Sequence, residues 1–73
     1  MGMGVKVRML LAARQMTLKQ LGACMDPPTS AQNIGTKIRN DNLTERDLTA
    51  IAKACDATYE GMFILNDSGK EIR

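Results

Sequence analysis

The sequence predicts a mainly α-helical domain of four to five helices that closes on a short C-terminal β-strand or hairpin. Three observations carry this. Two helix-start signatures, Thr17-x-x-Gln20 and Thr44-x-x-Asp47, precede apolar residues at helical spacing. With one Phe, one Tyr and no Trp, the core must come from Leu, Ile, Met, Val and Ala, which suits closely packed helices. Only ATYEGMFIL (57–65) departs from this, as a short run rich in β-branched and aromatic residues. At 73 residues the chain, 1–73, forms a single domain with one modest core.

Each element follows from local chemistry. Over residues 5–14, Val7, Leu10, Leu11 and Arg14 share a helical spacing, and Ala12 and Ala13 favour helix by propensity. Thr17 caps a second helix at about 18–25, with Gln20 as the reciprocal acceptor and Met16 and Leu21 spaced as a hydrophobic staple. Gly22 weakens that helix, so it is expected where another helix packs too closely for a side chain. Asp26, Pro27 and Pro28 stop it, because proline lacks a donor and pushes the preceding residue out of the α region.

Ser30 caps a third helix at 31–39. It presents Ala31, Ile34 and Ile38 on one face and Gln32, Thr36 and Arg39 opposite, flanked by Asn33 and Lys37. Thr44 caps a fourth at about 45–55, stapled by Leu43 and Leu48 and burying Leu48, Ile51, Ala52 and Cys55. Residues 57–65 then read as a strand, NDSG (66–69) as a turn, and KEIR as a short returning strand.

The chemistry available argues against an enzyme. There is no His, no Gly-rich phosphate loop, and the carboxylates are scattered over capping and solvent positions. Cys24 and Cys55 are too few for a disulfide framework or a metal site and are expected as half-buried reduced thiols. No cofactor, metal or small-molecule ligand is therefore expected. No apolar stretch approaches the roughly 20 residues that span a bilayer. The N-terminal MGMGVK has Lys6 where a myristoylation signal needs Ser or Thr. A cytoplasmic protein without membrane contact is the expectation. Charge is asymmetric: residues 1–40 hold six bases against Asp26 alone, net +5, whereas residues 41–73 hold four bases against seven acids, net −3. This suits a polyanion-binding face on an acidic support.

Two short helices joined by a tight break, at about 17–39, form the pattern of a helix-turn-helix, whose second helix enters the DNA major groove. Base edges there are read by amides, guanidinium groups and hydroxyls, and the third helix supplies Gln32, Asn33 and Thr36. Lys19, Lys37 and Arg39 are assigned to phosphates. So is Ser30, where the helix N-terminus offers backbone N–H groups.

At these residues the chain resembles the phage-repressor-like (Xre/Cro-type) helix-turn-helix family over about residues 7–65. The matches are Thr17 at the second helix cap, Leu21-Gly22, Ser30 capping the third helix, Ile34 and Ile38 at its core positions, RNDNLT, and a fourth helix of the LxxIAxAC kind. The MDPPTS link is longer than the family's usual Gly-containing turn, and Leu18 stands where a backbone-contacting Gln is common. The resemblance implies a lambda-repressor-like fold and a bacterial or phage, nucleoid-associated regulator that binds double-stranded DNA and usually represses. It also implies a dimer. The apolar edge at Tyr59, Met62, Phe63, Ile64 and Leu65 supplies the expected homodimer interface, matching a palindromic operator. The rival reading is a protein–protein interaction module that keeps this scaffold without binding DNA.

Overall fold

The computed structural model describes residues 2–72; Met1 and Arg73, the ends of the expected 1–73 domain and 57–73 hairpin, lie outside the described residues. Four helices come first, α1 (Met3–Arg14), α2 (Leu18–Cys24), α3 (Ala31–Arg39) and α4 (Glu45–Ala54). Three short strands follow, β1 (Ala57–Tyr59), β2 (Phe63–Leu65) and β3 (Glu71–Ile72), and no fifth helix occurs among the described residues. None of these helices is long and apolar enough to cross a membrane.

The locally encoded starts form as their residues dictate. Thr17 and Gln20 exchange both bonds of a capping box, Gln20 N–H to Thr17 Oγ1 at 3.1 Å and Thr17 N–H to Gln20 Oε1 at 2.9 Å. Thr44 and Asp47 repeat the arrangement, both bonds at 3.1 Å. Ser30 Oγ accepts from the Asn33 N–H at 3.1 Å. Each cap satisfies backbone donors that the first helical turn leaves free.

α1 starts differently. It begins two residues earlier than its apolar spacing suggests, on two glycines that are poor helix formers. Its N-cap, Gly2, has no side chain to offer; Asp41, beyond α3, instead accepts from the Gly4 N–H at 3.0 Å. The Asp41 carboxylate thus closes the positive end of α1 from across the fold. Gly4 is required by the same approach, because a Cβ there would collide with the Ile38 carbonyl.

Asp41 itself occupies the left-handed region (φ 54°), as does Gln15 after α1 (φ 53°), where glycine is favoured. Gln15→Gly should therefore stabilise the domain by up to about 1 kcal/mol. Asp41→Gly relieves similar backbone strain but deletes the carboxylate, and should cost about 1 kcal/mol net. Urea titration of the two variants checks these opposite signs.

The core is continuous from helices to sheet. Val7, Leu10, Leu21, Ile34, Ile51 and Phe63 are its centre, and Leu65 and Ile72 bring in the last two strands. The sheet is antiparallel, in the order β1-β2-β3, with Ala57 opposite Leu65, Tyr59 opposite Phe63 and Phe63 opposite Ile72. Residues 57–65 are thus two strands rather than one. A three-residue loop, Glu60 to Met62, reverses the chain with Gly61 at φ 73°, and Glu60 N–H donates to Met62 O at 2.9 Å. Phe63 and Leu65, expected at a dimer interface, are occupied by the chain's own core, while Tyr59, Met62 and Ile64 stay half-buried.

Arg14 ties α1 to the far end of the molecule. Its guanidinium donates to the backbone carbonyls of Cys55 (2.8 Å) and Asp56 (2.7 Å) after α4, and to both Asp67 carboxylate oxygens (3.1 and 3.0 Å) between β2 and β3. That fork–fork bond with Arg14 holds the Asp67 carboxyl below the usual carboxylate range. Burial pushes the Cys55 thiol up to about 11, leaving it protonated and inert. Cys24, expected to be half-buried, is exposed at the end of α2.

Candidate nucleic-acid interface

The link from α2 to α3 sets the angle at which α3 is presented. Asp26–Pro27 is a cis peptide bond, and Thr29 N–H donates to the Gly22 carbonyl at 2.9 Å. A Cβ at Gly22 would overlap the Thr29 carbonyl. Gly22 therefore makes room for the turn's backbone rather than for another helix. The long MDPPTS segment folds back onto α2, so its extra residues do not separate α3 from the core.

α3 turns Ile34 and Ile38 inward, and its sequence contains no acid. At about 100° per residue, Gln32, Thr36, Asn40 and Asn33 occupy the middle of the outward arc, with Arg39 and Lys37 on its two margins. Gln32, Asn33, Lys37, Arg39 and Asn40 are exposed and Thr36 is half-exposed. Thr36 Oγ1 donates to the Gln32 carbonyl at 2.8 Å and accepts a long contact from Arg39 Nη2 at 3.5 Å.

The expected contact residues fall on two sides of this arc. Gln32, Thr36 and Arg39 border one shallow cleft of about 260 Å³ together with Leu18, Gly35 and Arg8 of α1. Asn33 and Lys37 border another, of about 280 Å³, beside Pro27, Pro28, Arg46 and Asp47. The Lys37 ammonium, on a half-exposed side chain, pairs with Asp47 at 3.3 Å, so a phosphate there would compete with that carboxylate. Partial burial pushes the Asp47 carboxyl up, but the Thr44 N–H and the Lys37 ammonium outweigh it and hold the group below the usual range. Ser30 spends its hydroxyl oxygen on the α3 cap, leaving the exposed helix start itself as the feature open to an anion. Lys19 lies exposed on α2.

Two residues of this face escape a reading of the third helix alone. Arg8 reaches it from α1, and no local pattern in the sequence pairs those two helices. Asn40 lies one residue past the helix as its C-cap. Its spacing of seven from Asn33, two helical turns, was the available signal. Comparison with known proteins finds no matching family model, no matching curated protein and no matching solved structure.

Proposed function

We propose that the chain is a sequence-specific DNA-binding transcriptional regulator of the lambda-repressor-like helix-turn-helix kind, acting as a repressor without catalytic activity or a cofactor. The observation that carries this is the outward arc of α3. Amide, hydroxyl and guanidinium groups line an exposed helix face that has no acid, while the helix's isoleucines are turned inward. Such a helix fits the major groove, where Gln and Asn pair with adenine, Arg with guanine, and the Thr methyl meets thymine. Gln32, Asn33 and Thr36 read bases in this proposal. Arg39, Lys19, the α3 start at Ser30 and the newly placed Arg8 meet phosphates, and the Asp47 pairing demotes Lys37.

Two copies on a palindromic operator would pair through Tyr59, Met62 and Ile64, the members of the apolar edge that keep exposed surface. The setting is the cytoplasm, on the nucleoid of a bacterium or on phage DNA.

Mobility shift against random and selected duplexes at two salt concentrations tests the reading. Random duplex should bind at low salt, because the sequence-independent electrostatic attraction acts first. Arg8→Ala and Arg39→Ala should each weaken all duplexes alike and lower the salt slope by about one. Lys37→Ala should have a smaller effect. Gln32→Ala should change sequence preference, costing about 1–3 kcal/mol at one base position only. Absence of any binding at low salt would end the DNA reading.

A further inference from the structure

α1 carries apolar residues on the side that faces away from the core as well as on the side that faces in. Val5, Met9 and Ala12, spaced i, i+4, i+7, form its outermost stripe, and Val5 and Met9 are 48% and 44% exposed. A helix apolar on both faces is normally covered on both. Beside the stripe, between α1 and α3, lies a cleft of about 390 Å³ floored by Leu11 and Ile38 and edged by Ala12, Met16 and Leu18. Leu18, the third large apolar side chain left exposed, edges this cleft.

The charges beside this surface indicate its occupant. Arg8 edges the cleft, and Lys6 lies on the opposite margin of the stripe, about 70° and about 90° around the helix from its centre. α1 contains no acid, and neither base is paired with an acid among the described residues. We infer that the outer face of α1 and the adjoining cleft dock an amphipathic helix of a partner protein, one whose apolar stripe is bordered by acidic residues. One large apolar side chain of the partner fills the cleft, and its carboxylates meet Arg8 and Lys6. The same stripe on a second copy lacks that complementarity. A two-fold antiparallel pairing centred on Met9 sets Arg8 against its own symmetry mate, with no acid on either helix. An anionic lipid surface suits it less, since the stripe has no aromatic anchor. This docking surface does not depend on DNA binding, although Arg8 and Leu18 border both regions.

The test uses the full chain and two synthetic helical peptides of about 20 residues. Both carry the same leucine stripe, one bordered by Glu and the other by Lys. In titrations followed by fluorescence anisotropy and amide chemical shifts, the Glu-bordered peptide should bind about tenfold more tightly. Its shifts should centre on Val5, Arg8, Met9, Ala12 and Leu18. Met9→Glu should weaken it at least about tenfold without moving the urea midpoint, since Met9 lies outside the core. Equal affinity for the two peptides, or shifts centred elsewhere, would overturn the inference. So would a dimer in sedimentation that Met9→Glu dissociates, or binding to phosphatidylglycerol vesicles in the absence of peptide binding.

Discussion

Gly22→Ala is expected to destabilise the domain by about 2–3 kcal/mol, although helix propensity alone predicts a gain of about 1 kcal/mol. The two effects have opposite signs, and geometry decides between them. The added methyl would overlap the Thr29 carbonyl, in a residue whose own N–H donates to the Gly22 carbonyl and so holds it against α2. Relief requires moving the whole Met25–Ser30 segment and with it the start of α3. For a domain of this length, with total stability of about 4–11 kcal/mol, that is a large fraction. Gly35→Ala is the control. Its Cβ meets only Leu18 Cδ1, at 3.3 Å, the tip of a flexible and partly exposed side chain. There propensity should prevail, for a gain of up to about 1 kcal/mol. Urea midpoints that move in opposite directions establish the Thr29 contact; a stabilised Gly22→Ala would refute it.

Phe63→Ala should cost about 3–5 kcal/mol, a large share of the domain's stability, and should lower the urea midpoint steeply. Phe63 is 0% exposed and sits where β2 meets both its neighbours, opposite Tyr59 and Ile72. Its ring lies 5.5 Å from that of Tyr59. Ile64→Ala, one residue along and half-exposed, should cost under about 1 kcal/mol. Circular dichroism through a urea titration separates the outcomes. A Phe63→Ala chain that stays fully folded and merely changes its oligomeric state would return Phe63 to an interface role.

These contrasts mark where the sequence could be read and where it could not. The caps at Thr17, Ser30 and Thr44 were legible because each joins residues three apart, within reach of a motif. The inward face of α3 was legible from the spacing of Ile34 and Ile38. The break at Glu60–Met62 was also local, signalled by a Glu-Gly pair inside an apolar run.

The start of α1 was not legible. Asp41 caps it from 37 residues away, and no pattern in MGMG announces a carboxylate arriving from another helix. Nor was the pairing of Lys37 with Asp47 visible. The Thr44–Asp47 cap is local, but the second role of Asp47 depends on how the link after α3 brings the start of α4 back beside the end of α3. The polar composition of the outward arc of α3 was legible from the helical spacing of Gln32, Thr36 and Arg39. Arg8 was beyond reach because it belongs to the face only through α1 packing on α3.

The Arg14 clasp has a consequence in time as well as in space. It joins residues 41 to 53 positions apart, whereas the caps of α2, α3 and α4 close within single turns. Contacts across long chain segments carry a loop-closure cost that local ones avoid, so the middle helices can assemble before α1 and the sheet are fastened together. An interaction made after the rate-limiting crest does little to hasten folding. It governs how long the finished molecule lasts before it opens. On this view Arg14 and Asp67 act as a latch on the native lifetime. Removing them would steepen escape from the folded state while leaving the speed of return nearly unchanged.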